Sequence, residues 1–292
     1  MNAHPAIQPG RTAVITGAAS GIGLAAARRF ASLGLNVVLA DRDAAALGAA
    51  GGAVAAAARD GARFVSMPTD VIDFAQVERL RDRALAEFGD IAVLMNNAGV
   101  GGGGHAFANP DGWRRVMGVN LGGTINGVQA FTQAIIDQGR PAAIINTGSK
   151  QGITCPPGDT AYNVSKAAIK ALTEGLAHTL RETPGCQVSA HLLIPGFTFT
   201  GMTGGGGGVM RAKPAAAWTA DQVIGFMLER LAAGDFYILC PDNDVSRAID
   251  NRRIAWAAGD VIHNRPALSR WHADFKAAFA AHMAQGLESG ET

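Results

Sequence analysis

The 292-residue sequence is 48% hydrophobic and 17% charged, with a formal net charge of +1, an even balance that leaves no electrostatic footprint for nucleic acid or an anionic membrane. No apolar run reaches the roughly 18 residues of a membrane span, and the first residues lack a basic segment followed by a long apolar one, so neither a membrane anchor nor a secretory leader is expected. Cys155, Cys186 and Cys240 lie far apart without C-x-x-C spacing; this speaks against a disulfide framework or a zinc site and for a reducing cytoplasm, each thiol being a small core or pocket residue.

Along the chain, short β-branched runs alternate with longer alanine-rich ones. Residues 12–16 (TAVIT) read as a buried strand, followed by a glycine-rich turn and a helix over 22–33. Strands at 36–40, 63–67, 91–95 and 142–147 lead into helices over 43–60, 73–88, 111–138 and 159–182, and a further strand covers 188–194. Continuous apolar character, rather than alternation, is what a parallel sheet covered on both faces requires. Asp73, Asp111 and Asp159 suit helix N-caps, because a short carboxylate can accept the unpaired N–H groups of a first turn. This order predicts an α/β protein, a doubly wound parallel sheet in a single domain, 1–292, with no linker dividing it.

After residue 194 the pattern breaks. Residues 198–218 contain five consecutive glycines and no clear period, and are read as a mobile substrate loop, since ligands bind beyond the carboxyl ends of such strands. A helix over 220–233 and a short strand at 236–240 follow. The remainder, 244–292, is read as a helical C-terminal extension with apolar spacing at Ile249, Ile254, Trp256, Phe275 and Phe279. Trp271 and His272 are expected to anchor it to the body through the indole.

Gly17, Gly21 and Gly23 stand directly after the first strand and at the start of a helix. Glycines there permit a tight turn and close approach of backbone to a pyrophosphate, which the helix N-terminus attracts with unpaired N–H groups. Asp41 ends the next strand eighteen residues after Gly23, close to the offset at which a carboxylate grips the adenosine ribose hydroxyls. The same charge repels a 2′-phosphate, so NAD is the expected cofactor, with NADP possible because the guanidinium of Arg42 can meet a 2′-phosphate. Arg42 is otherwise read as lying along the adenine.

With these motifs in order, the sequence resembles the short-chain dehydrogenase/reductase family from about Thr12 to Gly201. TGAASGIG (16–23) is similar to its nucleotide turn, which places Gly17, Ser20, Gly21, Ile22 and Gly23 at the cofactor. TDV (69–71) resembles the element that meets adenine through Asp70, with Val71 beside it. NNAG (96–99) matches the segment along the cofactor, Asn97, Ala98 and Gly99. PGFTFT (195–200) resembles the segment touching the nicotinamide, which brings in Pro195, Gly196, Thr198 and Thr200. Asn120 in VNLGG, Ser149 thirteen residues before Tyr162, and AYNVSK with Tyr162 and Lys166 are similar to the family's catalytic tetrad. Two departures stand out: ILCPDND replaces the family's valine–aspartate–glycine-type motif, and the chain from 244 onward exceeds the usual length. The resemblance implies a Rossmann fold and a homo-oligomer, dimer or tetramer, the departures leaving the number of copies open.

The resemblance assigns chemistry to these residues. Hydride transfer at an alcohol carbon needs the hydroxyl proton removed, and a free phenol, with a pKa near 10, is a poor base at neutral pH. Lys166, one helical turn on, favours the phenolate of Tyr162 and also holds the nicotinamide ribose hydroxyls. Ser149 hydrogen-bonds the substrate oxygen, and Asn120 holds a water linking Lys166 to solvent. Lys150 is read as a solvated neighbour, His105 as a candidate for the substrate mouth, and no histidine has metal-ligand spacing. Gly152, Ile153, Cys155, Pro156, Phe197, Phe199, Met202 and Met210 are expected around the substrate. They are mostly apolar, which points to a hydrophobic secondary alcohol or ketone, aromatic or alicyclic. Two alternatives stay open: an NADPH-preferring carbonyl reductase on the same scaffold, and a non-catalytic dinucleotide-binding regulatory protein.

Overall fold

The computed structural model describes residues 3–204 and 212–284. Its centre is a seven-stranded sheet in which every pairing is parallel, in the order β3-β2-β1-β4-β5-β6-β9. The strands are β1 (Thr12–Thr16), β2 (Asn36–Asp41), β3 (Phe64–Pro68), β4 (Val93–Asn96), β5 (Ala142–Thr147), β6 (Val188–Ile194) and β9 (Tyr237–Leu239). A two-stranded ribbon, β7 (Thr198–Phe199) with β8 (Trp218–Thr219), lies beyond β6. Helices α1 (Gly21–Ser32), α2 (Ala44–Ala57) and α9 (Ala220–Ala232) cover one face; α3 (Phe74–Phe88), α5 (Gly123–Ile136) and α7 (Thr160–Glu182) cover the other.

Successive strand residues point to opposite faces, so each apolar strand feeds two cores. Ile15 and Leu39 join Phe30 of α1 and Met227 of α9 on one side. Val14, Val38 and Ile144 join Leu80 of α3 and Phe131 of α5 on the other. Phe30 and Phe131 are each fully buried, about 2–3 kcal/mol apiece relative to exposure. The exception is β3, expected as a buried strand: it is the sheet edge, and Phe64 is 37% exposed.

The segment expected as one helix over 111–138 is three pieces. Asn109, not Asp111, is the N-cap: its side chain accepts the Gly112 N–H at 3.0 Å, with Pro110 opening α4 (Pro110–Val116). Asp111 sits inside the first turn instead. A π-helical segment, Met117–Gly122, then separates α4 from α5. An extra residue per turn displaces the backbone hydrogen bonds, and the Thr124 hydroxyl donates to the Asn120 carbonyl at 2.7 Å. Asp73 and Asp159 cap α3 and α7 as expected.

The short helices α6 (Gln151–Thr154) and α8 (Gly201–Gly204) follow β5 and β7. The glycine run 204–208 and Met210 fall largely in the span 205–211, outside the described residues. The extension forms α10 (Arg247–Ile262), two short 3₁₀ turns and α11 (Lys276–Ala284). Its buried indole is Trp256 rather than Trp271, and that ring gathers the extension itself, while Ile254 packs on the body beside Ile169, Leu192, Ile194 and Leu239. Trp256 is 6% exposed, donates from Nε1 to the Ser269 hydroxyl at 2.8 Å, and lies 4.0 Å beneath the Arg265 guanidinium and 5.3 Å from the Phe279 ring. Trp271 is 37% exposed, because the helical period that buries 256 leaves 271 in a turn at the rim.

Candidate active site

Strand order reverses between β1 and β4, and the connections that leave their carboxyl ends diverge to opposite faces of the sheet. The crevice this opens is a cleft of about 750 Å³. Its wall takes in Gly17, Ser20, Gly21 and Ile22 from the turn after β1, Asp41 and Arg42 from the end of β2, and Asp70 and Val71 after β3. Asn97, Ala98 and Gly99 after β4, Ser149 after β5, Tyr162 and Lys166 on α7, and Pro195, Gly196, Thr198 and Thr200 after β6 also belong to it.

The turn is built for close approach. Gly17 has φ +65°, and a Cβ there would lie 2.8 Å from the Ala98 Cα. Gly23 does not line the cleft; a Cβ on it would overlap the Gly17 carbonyl, so its role is to let α1 pack beneath the turn. Thr16 and Asn97 lock the two loops together: the Thr16 hydroxyl accepts the Asn97 and Ala98 N–H groups at 2.9 and 3.1 Å, and Asn97 Nδ2 donates to the Thr16 carbonyl at 3.1 Å. Ser20, the N-cap of α1, makes no side-chain capping bond, so its hydroxyl and the first-turn N–H groups are left facing the cleft. Asp41 is held by the Ala19 N–H on Oδ2 (3.2 Å) and the Asp43 N–H on Oδ1 (3.1 Å). A helix N-terminus of uncommitted donors, with a fixed carboxylate at one end, fits a dinucleotide: phosphate to the donors, ribose hydroxyls to the carboxylate.

At the other end, Tyr162 and Lys166 project from the first turns of α7. Tyr162 is half-buried; burial raises its phenol above the ordinary value of 10, the neighbouring Ser149 hydroxyl pulls downward, and the Asp159 carboxylate adds a further rise. The lowering expected from Lys166 is not among these influences. Lys166 is 4% exposed, its ammonium donates to the Thr147 carbonyl at 2.8 Å and lies 5.6 Å from the Tyr162 ring centre, and burial brings its pKa down to about 8. The other tyrosine, Tyr237, is bonded to Glu174 outside the cleft.

Asn120 is fully buried behind the wall, and its amide bonds within the protein. Oδ1 accepts the Val100 N–H at 2.8 Å, and Nδ2 donates to the Val100 carbonyl and the Ser165 hydroxyl, each at 3.0 Å. The side chain therefore braces Val100, with one acceptor site of Oδ1 left over. The π segment turns it inward, which a regular helix reading of 111–138 does not anticipate.

Several expected substrate-side residues lie elsewhere, because α6 turns the chain inward after Ser149. Gly152 packs on the Lys166 backbone, Ile153 joins the core with Ile169 and Leu192, and neither Cys155, Pro156 nor Phe199 is on the wall. Phe197 and Met202 do line the cleft, 41% and 54% exposed. His105 is exposed and edge-on to Phe107, outside it. His191 is buried, bonded to Ser189 and the Asp235 carbonyl and edge-on to His4.

Two residues go beyond expectation. Asp159, read only as a cap, also accepts the N–H groups of Gly102, Gly103 and Gly104 at 2.7, 3.2 and 3.1 Å, tying the glycine loop after β4 to the first turn of α7. A carboxylate capping a catalytic helix opposite a glycine run was the available signal. Lys150, read as solvated, is mostly buried between Asp242 and Asp250.

The sequence matches the family described as short chain dehydrogenase over residues 11–206. It is 35% identical over 266 residues, 90% of this chain and 94% of the relative, to 1-deoxy-11-beta-hydroxypentalenate dehydrogenase of Streptomyces exfoliatus. It is 32% identical, over 76% of this chain and 82% of the relative, to 3beta-hydroxysteroid dehydrogenase 2 of Eggerthella lenta. A crystal structure of a short chain dehydrogenase/reductase from Burkholderia phymatum in complex with NAD superposes with a TM-score of 0.78 at 34% identity, covering 91% of this chain and 97% of that one. Among the described residues, no helix is long and apolar enough to cross a membrane.

Proposed function

Since the chain belongs to the short-chain dehydrogenase family, we propose that it is an NAD-dependent oxidoreductase transferring a hydride between the nicotinamide and a hydrophobic secondary alcohol or its ketone. The observation that carries this reading is the meeting of Ser149, Tyr162 and Lys166 at one end of a cleft whose other end is a glycine turn and an anchored carboxylate. When bound, the dinucleotide supplies the hydride acceptor or donor and, oxidised, a positive charge that favours the phenolate.

The turn residues Ser20, Gly21 and Ile22 hold the pyrophosphate, Asp41 the adenosine ribose, and Pro195–Thr198 the nicotinamide end. Tyr162 takes the hydroxyl proton of the alcohol or returns it to the ketone. Burial raises its phenol, and the positive charge of the oxidised nicotinamide would oppose that rise. Ser149 donates to the same substrate oxygen as negative charge develops there. Lys166 is an ammonium below pH about 8, so its support for the phenolate is present at neutral pH and fades above that value. Asn120 and Asp159 keep the wall in place, through Val100 and the glycine loop respectively.

Among the described residues, the wall beside this end takes in Val100, Phe197 and Met202, and its two lysines are both committed, Lys150 to Asp242 and Asp250 and Lys166 to the Thr147 carbonyl. That supports a bulky, apolar alcohol, and the two relatives are named for a hydroxypentalenate and a hydroxysteroid. Tyr162→Phe removes one oxygen and leaves the packing intact. Turnover of alicyclic alcohols should fall by about 10³-fold or more, with NADH binding unchanged; near-wild-type turnover rules the mechanism out.

A further inference from the structure

The C-terminal extension reaches the catalytic loop through one buried cation. The Lys150 ammonium, next in sequence to Ser149, lies 2.6 Å from Asp250 Oδ2 on α10 and 3.3 Å from Asp242 Oδ2, and both carboxylate side chains are only 6% exposed. The same Asp242 oxygen accepts the Phe197 N–H at 3.2 Å, while the Lys150 N–H donates to the Pro195 carbonyl at 3.4 Å. Gly196 lies directly against the pair: a Cβ there would come 2.8 Å from Asp242 Oδ2 and 2.9 Å from Lys150 Nζ. Any larger residue would force the ammonium aside.

The neighbouring residue extends the grip. The Asn243 N–H donates to the Ala216 carbonyl at 3.1 Å and its amide to the Ala217 carbonyl at 3.4 Å, while the Trp218 N–H donates to the Phe197 carbonyl at 2.9 Å. The PDND turn that departs from the family pattern therefore holds Phe197 from one side and its ribbon partner from the other.

The charge arrangement argues against a simple staple. Two buried carboxylates face one ammonium, and burial pushes the Asp250 carboxyl up against the downward pull of Lys150 and Arg253. An apolar contact would join helix to body at lower desolvation cost. What the charges add is direction: the Asp242 oxygen accepts from one particular N–H, and so sets one peptide plane on the cleft wall.

We propose that Lys150 is a positioning residue, held from the extension by Asp250, which through Asp242 sets the Pro195–Thr198 backbone against Ser149 where nicotinamide and substrate meet. The C-terminal extension is thereby part of the active site. This rests on the dehydrogenase reading above. NADH and ADP-ribose, which lacks the nicotinamide, separate the two ends of the cleft. By calorimetric titration, Lys150→Met and Asp250→Asn should each weaken NADH by about tenfold, the scale of one charge-assisted hydrogen bond, and leave ADP-ribose within about twofold. The double variant should be no worse than Lys150→Met alone, since both cut one chain of contacts.

Equal weakening of the two ligands, a lowered melting temperature with the ligand ratio kept, or outright unfolding of the near-isosteric Asp250→Asn makes the network a structural tie and overturns the proposal. A wild-type protein that binds neither ligand overturns the dehydrogenase reading as well. One that binds both, with unchanged ratios in the variants, overturns this inference alone.

Discussion

Replacing Asp41 by Asn tests which dinucleotide the cleft takes and why. The carboxylate is half-buried and held on both oxygens, by Ala19 N–H at 3.2 Å and Asp43 N–H at 3.1 Å, so it cannot swing away from an incoming 2′-phosphate. Two unit charges about 6 Å apart at an effective dielectric of about 20 repel by about 3 kcal/mol. Screening at the open edge and the exposed guanidinium of Arg42 reduce this to about 2–3 kcal/mol, or roughly 30- to 150-fold. Asn keeps the volume and one acceptor oxygen while removing the charge. Initial rates with NAD and NADP on one alcohol should show the kcat/KM ratio, strongly in favour of NAD in the wild type, falling by about 100-fold, mostly through a gain with NADP. A ratio unchanged within about threefold, or a wild-type enzyme indifferent between the two, refutes the electrostatic argument.

Three further outcomes follow from particular contacts. Gly23→Ala drives a methyl into the Gly17 carbonyl, an overpacking worth about 1–3 kcal/mol; both the denaturation midpoint and NADH affinity should drop, and a variant unchanged in both would show that the turn yields freely. His4 is held at a pKa of about 4 by burial and by the neighbouring His191, against 6.5 when unfolded. The unfolded chain therefore takes up the proton first as pH falls, and stability declines from about pH 6.5 to 4, by about 1 kcal/mol at pH 5 once screening at the exposed edge of the ring is allowed for. His4→Gln should flatten that slope in urea titrations at pH 5 and 7.5; an equally steep slope would place the acid sensitivity elsewhere. Trp256→Ala removes the indole that gathers Ser269, Arg265 and Phe279. Limited proteolysis should then cut within 263–272 at least tenfold faster, because about 3–5 kcal/mol of packing is lost from the extension; unchanged cleavage would mean that other contacts hold it.

The strands and the chemistry were legible because each rests on a local rule. Apolar runs such as TAVIT and AAIINT can be satisfied only inside a covered parallel sheet, and a glycine turn between strand and helix has few uses other than phosphate. Tyr162 and Lys166 share a helix face by spacing alone. Edge position was not legible: Phe64 reads like any buried strand residue, and only the sheet order exposes it. The break at Met117–Gly122 was also hidden, since nothing in the period of 111–138 marks an extra residue in a turn; the consequence is that the Asn120 amide faces Val100.

What the sequence determined by itself was therefore the order of elements, the location of the cleft along the chain, and which residue types stand at its two ends. The tertiary structure alone decided which partners those side chains meet. Lys150 looks like a surface cation because its carboxylates stand 92 and 100 positions away, and Asp159 looks like a simple cap because the glycine loop it gathers comes from another strand. Local propensity acts between neighbours in the chain, whereas the electrostatic and hydrogen-bond terms that tune this cleft act between atoms about 3 Å apart in space, and those pairs exist only once the sheet has assembled.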